Sequence, residues 1–485
     1  MGTASTNRKK TNLMTDTTHS ISRLRVLVLG VTAMLLAGCA TFSEDGGFSA
    51  VETTARERLG QETHWVRSKA DEDAVRSRLK DLLAKPITAD EAVQIALINN
   101  RGLQATYAEL GLAEADLVQA GRLSNPLFSY SHVKGGGELD IERILLFNIF
   151  DVVTIPARTR LGEQRFEQTK LSVSAQMLNL ALETRRAFYG ALAARERTRY
   201  FEQVKESAEA SAELARRMYA AGNFSALQRA REQAFYAEAV AQLARAKQMA
   251  LAERERLTRL MGLWGEDIRF QLPERLPDLP AEPMELEDVE RSAMKTRLDV
   301  QASQRELGVL AENLGLARTT RFINALELGP KQVRDKEVTL NGYEVEVQIP
   351  LFDWGSARVA RAESHYMQAA NRLAQVAVDA RSEVREAYAG YHSTYALAKH
   401  YRDEIVPLRK RISEENVLRY SGMLIGVFEL LADAREQVAS VNASIEALRD
   451  FWLADVNLLA ARNGAAFGTS GTTAPSMALG GAGGH

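Results

Sequence analysis

Hydrophobic positions along this chain fall into long stretches of helical spacing, broken by a few short alternating runs. The clearest helical stretch begins at Ser356. Its apolar or small residues stand at Val359, Ala362, Tyr366, Ala369, Leu373, Val376 and Ala380, alternating steps of three and four. That is the spacing of a heptad seam. Ala387, Tyr391, Ala398, Tyr401 and Ile405 continue it, with Glu383 and Thr394 as polar interruptions. The pattern predicts one helix to about Tyr420, roughly 100 Å long at ~1.5 Å per residue. Its many alanines permit close helix approach, and Pro407 is expected to kink it near its end. A first counterpart is expected from Ala157 to Ala221. Returning helices are expected over 224–262 and 424–462, with Gly222 and Gly422 as the breaks between.

Period-two alternation marks the strands. In YEVEVQIP (343–350), Tyr343, Val345, Val347 and Ile349 share one face, with Glu344, Glu346 and Gln348 on the other. Acidic residues opposite an apolar face suit a barrel strand with lipid outside and water inside. A half-buried strand of a soluble sheet is the competing reading. RFINALELG (321–329), NPLFSYSHV (125–133) and LDIERILLFNIF (139–150) are the other expected strands. IPLFDWG (349–355) joins the last strand to the long helix. Pro350 has no N–H and is expected to end ladder pairing. Leu351, Phe352 and Trp354 read as membrane-interface anchors, and Asp353 or Ser356 as the helix cap. Pro350, Phe352, Asp353, Trp354 and Gly355 are therefore the expected hinge. An aromatic ligand box is the other reading of its aromatics. IFDVVTIPA (149–157) is a weaker echo.

The chain also reads as duplicated. ITADEAVQIALINNRGLQA (87–105) pairs with MELEDVERSAMKTRLDVQA (284–302), and Phe150-Asp151 with Phe352-Asp353. ARRMYAAGNF (215–224) pairs with VLRYSGMLI (417–425). All three pairs keep a separation of ~200 residues, as an internal repeat requires. The expected organisation is a signal segment at 1–38, an N-terminal segment at 39–84 and a first repeat at 85–271. A proline-rich linker follows at 272–283, then a second repeat at 284–463 and a Gly/Ala-rich disordered tail at 464–485.

Charge narrows the function. Lys and Arg total 61 against 63 Asp and Glu, so nothing favours a nucleic-acid partner. Eleven prolines among 485 residues favour long helices. The single cysteine, Cys39, excludes an internal disulfide. It ends RLRVLVLGVTAMLLAGC, where a basic stretch with Arg23 and Arg25 precedes an apolar run over 26–36 and small residues Ala37-Gly38. That is a secretory signal. Met1-Gly2 with Ser5 and Thr6 also fits a myristoylation pattern, which the downstream signal contradicts. Met14 is an alternative start. Leu36-Ala37-Gly38-Cys39 resembles a bacterial lipobox. The resemblance implies cleavage before Cys39 and acylation of its thiol and new amino group, with Ala40 favouring the outer membrane. An ordinary signal peptide with a chance cysteine is the alternative.

No other apolar run reaches the roughly 18 residues of a spanning helix, so any further crossing must be a β-barrel. Four strands cannot close one, since such barrels start at about eight strands. Several copies must therefore share a barrel, with the long helices as a tube reaching into an aqueous space. No H-E-x-x-H, G-x-S-x-G or P-loop supports an enzyme, and no cofactor is expected. His392 and His400, eight apart among tyrosines, are a poor metal site.

The duplicated plan, the lipobox, the IPLFDWG junction and the RYSG…FELLADARE segment together resemble the outer-membrane efflux factor (TolC-like) family. The resemblance covers about 85–463. It implies a mainly α fold with a small β part: a homotrimer whose long hairpins form an α-barrel and whose four strands per chain make a shared twelve-strand β-barrel. It implies a passive, lipid-anchored duct of the Gram-negative outer membrane, carrying small compounds or metal ions from an inner-membrane pump through a periplasmic adaptor. A duct for protein secretion, or a structural coiled-coil lipoprotein, are the alternatives. Glu429 and Asp433, four apart, are the implied acidic rings of the periplasmic constriction; a solvated face near Arg435 is the other reading. Tyr219, Gly222, Tyr420, Gly422 and Leu424 mark the turns an adaptor would touch.

Overall fold

A computed structural model describes residues 41–135, 138–322, 326–335 and 338–465. The signal segment, Cys39 and nearly all of the tail lie outside the described residues. Helices α1 (Ser49–Leu59) and α2 (Lys69–Leu83) come first among the described residues. Two matching series follow. The first is α3 (Ala89–Asn99), α4 (Arg101–Ala120), β1 (Leu127–Gly135), β2 (Glu138–Asn148), α5 (Ile149–Ala220) and α6 (Ala226–Met261). The second is α7 (Val289–Thr296), α8 (Leu298–Thr319), β3 (Leu326–Asp335), β4 (Val338–Val347), α9 (Ser356–His400), α10 (Val406–Ser421) and α11 (Val427–Asn463). The expected duplication is thus an order of elements as well as of residues.

The same joint recurs in each series. Asn100, where α3 meets α4, donates its side-chain N–H to Leu260 O at 2.9 Å. Arg297, where α7 meets α8, donates to Ala461 O at 2.9 Å. In each half the short helix pair is therefore pinned to the end of the returning helix. Only the first of the two short helices is capped by a side chain, since Asp288 makes no such bond at the start of α7. Thr88 and Glu91 form a capping box for α3, as Ser225 and Gln228 do for α6.

Two compact units divide the described chain. One holds the residues up to Gly46 with Gly111–Phe166 and Val309–Ser364; the other holds the rest. Each draws on both halves, because the sheet takes a hairpin from each repeat. In the first unit the strands run antiparallel in the order β1-β2-β3-β4, leaving β1 and β4 as edges. In the second, helices close over buried Ile87, Ile95, Leu182, Phe188, Leu192, Leu257 and Val456. Phe48, Val51 and Ala55 of the N-terminal segment pack there beside Tyr107 and Met177.

Several boundaries differ from expectation. β3 begins at Leu326 and runs through Pro330 to Asp335, beyond the expected 321–329, of which 323–325 lie outside the described residues. Gly329-Pro330 reads as a terminator. In fact the β2–β3 ladder skips there, pairing Ile144 with Lys331 and Phe147 with Leu328 but nothing between. A proline without an N–H is tolerated at such a skip. β4 starts five residues before the expected Tyr343, because paired Val338–Gly342 hold no apolar alternation continuous with 343–347. α5 starts at Ile149, not Ala157, and carries Pro156 inside it. Asn148 Oδ1 accepts from Asp151 N at 3.2 Å, a helix-start bond that outweighs the proline signal. The first half therefore has no strand-to-helix loop like IPLFDWG.

The second long helix breaks as expected near Pro407. A wide π turn at Tyr401–Ile405 separates α9 from α10, and Pro407 sits at the start of α10. The linker 272–283 is a strap. Leu272, Leu276 and Leu279 are buried, and Tyr395, Trp452 and Arg402 donate to the carbonyls of Ala281, Pro277 and Leu279.

Candidate functional site

The register sorts the sheet's side chains into two faces. On one, Phe147, Leu328 and Val345 form a row across three strands, and Leu326 pairs with Val347 beside them. Phe128, Tyr130 and Tyr343 lie on the same face by the two-residue period. All of these except Leu326 are exposed, Tyr343 to 79%. Farther along, Arg143 donates to Gln332 at 2.9 Å and Gln332 to Asn341 at 3.0 Å, a polar rung that ends the apolar band. The opposite face carries Lys331 between Glu142 and Glu344, the latter at 2.9 Å. Up to that rung one face is thus apolar and uncovered, as the alternation of 343–347 predicts, while the other carries these charges together with exposed Leu127, Val133, Val338 and Leu340. An exposed apolar patch of this extent needs a covering. The two edges also present unpaired backbone groups.

The hinge prolongs the apolar band. Ile349, Leu351, Phe352 and Trp354 are all exposed, Phe352 to 98%. The last ladder pair is Leu326 with Val347, and Pro350 lies just beyond it. Gly355 is left-handed at φ 72°, and a Cβ there would stand 2.6 Å from Arg321 O. Only glycine fits that close approach. Asp353 Oδ1 accepts from Gly355 N at 2.8 Å, and Gly355 O starts the helix by accepting from Val359 N at 3.0 Å. Neither Asp353 nor Ser356 takes the capping role expected of it; Asp353 instead fixes the residue that does. Trp354 meets Phe322 edge-on at 6.4 Å.

The two helical turns share one geometry. After α5, Asn223 N donates to Met218 O at 2.9 Å and Gly222 N to Tyr219 O at 3.0 Å. After α10, Leu424 N donates to Arg419 O at 2.8 Å and Met423 N to Tyr420 O at 3.0 Å. Both are Schellman closures. Tyr219 and Tyr420 are therefore equivalent, as the sequence pairing has them. Gly222 is matched by Met423 and not by Gly422. Gly222 is left-handed at φ 79° and Met423 at φ 59°, whereas Gly422 has φ −81°. Met423 is 94% exposed and Leu424 77%. Ser225 caps the helix after the first turn, but Gly426, at the same place after the second, has no side chain to do so.

Glu429 and Asp433 have different surroundings despite their spacing. Glu429 is exposed, whereas Asp433 is buried at 7% and its Oδ2 has no hydrogen-bond partner. Nearby Arg435 pairs with buried Glu232 at 3.0 Å and lies over the Phe235 ring, so it is committed to α6 and not to Asp433. His392 is packed edge-on against Tyr388 at 4.5 Å, and His400 faces Glu404. Among the described residues no group of His, Cys, Asp and Glu could hold a metal ion, and no helix is long and apolar enough to cross a membrane.

A four-stranded sheet with a bare apolar band, taking one hairpin from each repeat, and long helical hairpins are the features to compare with known proteins. Residues 143–263 match the family described as outer membrane efflux protein. Over 277 residues the chain is 26% identical to the cobalt-zinc-cadmium resistance protein CzcC of Cupriavidus metallidurans, covering 55% of this chain and 63% of that protein. It superposes on the CmeC outer membrane channel of Campylobacter jejuni with a TM-score of 0.68 at 16% identity, covering 79% of this chain and 87% of that one. The open-state MtrE outer membrane channel of Neisseria gonorrhoeae gives a TM-score of 0.62 at 16% identity, over 77% and 88% of the two chains. The segment 143–263 thus resembles outer membrane efflux proteins, and the chain shares its fold with solved outer membrane channels.

Proposed function

We propose that this chain is the outer-membrane duct of a tripartite export system, working as a homotrimer. The carrying observation is the sheet: two open edges and one bare apolar face in a single chain. Unpaired edges are not tolerated in lipid, so copies must join β1 to β4 until the barrel closes. Three copies supply twelve strands. Lys331, Glu142 and Glu344 then face water, while Phe128, Phe147, Leu328, Tyr343 and Val345 face lipid. Ile349, Leu351, Phe352 and Trp354 mark the inner interface, where the barrel passes into a periplasmic helical tube. Cys39 carries the lipid anchor. The turns at Tyr219–Phe224 and Tyr420–Leu424 meet a periplasmic adaptor, through which an inner-membrane pump delivers cargo. Similarity to a cobalt-zinc-cadmium resistance protein points to metal ions as that cargo.

Purified in detergent, the full chain is expected to have the mass of a trimer; a monodisperse soluble monomer overturns the duct. Deleting the gene is expected to sensitise cells to cobalt, zinc or cadmium. Unchanged tolerance of all three rejects the metal cargo while leaving the duct. Replacing Cys39 by Ser is expected to abolish incorporation of labelled palmitate, and continued labelling refutes the anchor.

A further inference from the structure

We infer that an apolar groove at the end of the sheet is the seat of an acyl chain carried on Cys39. This rests on reading Cys39 as the lipid attachment site. The groove has a volume of 460 Å³ and lies between the first turns of α5 and the last turns of α8. Ile149, Phe150, Val153, Ala157 and Leu161 form one wall and Leu316 belongs to the other. Its size is that of a small-ligand pocket, and its lining is mostly hydrocarbon. Gly315 borders open space, since a Cβ there would have nothing within 4 Å.

Its position argues for lipid over protein. Leu326 lines the groove and is also the first residue of β3, paired with Val347 on the bare apolar face. The groove therefore prolongs the face that the barrel turns to lipid. The helices that wall it adjoin β2 and β3, the two central strands. Copies joining at the β1 and β4 edges leave it uncovered.

The start of the described chain is fastened close by. Glu114 is buried at 6%, and its Oε1 accepts from Ser43 N at 2.6 Å and from Ser43 Oγ at 2.5 Å. One turn further along α4, Leu117 packs on α5 where a Cβ on Gly162 would meet Leu117 Cδ1 at 3.1 Å. Gly162 follows Leu161, which lines the groove. Four residues span at most ~14 Å from Ser43 to Cys39, and an acyl chain adds its own length. The clasp at Ser43 thus anchors the chain four residues from Cys39, in the same compact unit as this apolar slot.

The test uses the full chain from cells fed a diazirine-bearing palmitate analogue, purified in detergent and irradiated. Intact mass first reports whether Cys39 is acylated. The expected result is an acylated chain whose Cys39 peptide is cross-linked to peptides containing 149–161 or 312–326. Gly315→Phe, whose Cβ enters open space, is expected to lose these cross-links while keeping the acyl group and the trimer. An acylated chain cross-linked only elsewhere overturns the groove and leaves the anchor standing. An unacylated Cys39 overturns the anchor and the occupant together. Equal groove labelling in Cys39→Ser protein means that membrane phospholipid fills the slot, which overturns the assignment to Cys39.

Discussion

Met423 holds a backbone angle that its counterpart Gly222 holds without strain. For an L residue the left-handed region costs about 1 kcal/mol, and a side chain 94% exposed gains nothing within the chain to offset it. Met423→Gly is therefore expected to stabilise the turn by about 1 kcal/mol, read as a higher melting temperature. If the exposed Met423-Leu424 pair is an adaptor contact, the same change weakens adaptor binding in a pull-down. An unaltered melt rejects the strain, and unaltered binding rejects the contact. The sequence match of Gly222 with Gly422 missed this by one residue, because residue identity is legible and backbone angle is not. Asp455 was not legible either. Burial raises its carboxyl above the usual range, with Arg185 opposing. A folded pKa above the unfolded one contributes stability that is full below the ordinary carboxylate range and lost as pH rises through the folded value. At neutral pH the ionised group is thus a burden. Asp455→Asn is expected to raise the melting temperature at pH 7 more than at pH 4; an equal rise at both refutes the shift.

At the scale of elements, the helix hairpins and their turns were legible because heptad spacing and capping residues act locally. Strand limits were not, because pairing decides them. Val338–Gly342 join β4 only because β3 lies alongside, and Pro330 stays in β3 because the neighbouring ladder skips there. Likewise the strap at 272–283 reads as a loose linker until Tyr395 and Trp452, more than a hundred residues away, are seen bonding its carbonyls. Arg297 shows what such remote contacts are worth. Its side chain is 3% exposed and bridges Asp299 at 2.6 Å and Glu383 at 2.7 Å, besides its bond to Ala461 O. Burial disfavours its charge, but these two carboxylates more than restore it, and its pKa stands above the usual value. Arg297→Met is expected to destabilise the fold by about 3 kcal/mol, the low end for a broken buried pair because both carboxylates are about one-third exposed. Thermal melting in detergent checks it. A loss within a few tenths of a kcal/mol, as for an exposed pair, would show that the joint is held by packing alone.

At the scale of the molecule, duplication explains why one chain carries two hairpins of strands and two of helices. The sheet ends in open edges, and the helices end in turns whose apolar tips are bare. If the proposed duct forms, its passage depends on what lines it near those tips. Glu429 and Asp433 share a helical face by spacing, yet the first is exposed and the second is packed inside the single chain. An i,i+4 relation fixes direction about the helix axis and not depth, since α11 leaves the open turn and enters packed neighbours within those four residues. The two acids should therefore act unequally. If the proposed trimer narrows here, exposed Glu429 is the acid expected to meet passing ions, and Asp433, buried with an unpartnered oxygen, is expected to join it only after a shift of α11. Glu429→Ala alone is expected to reduce cation preference in planar bilayers. Asp433→Ala alone is expected to leave the closed-state selectivity nearly unchanged and to alter the frequency of openings. Equal effects of the two single changes would put both carboxylates in the pore at once, and an unchanged double variant would remove them from the constriction.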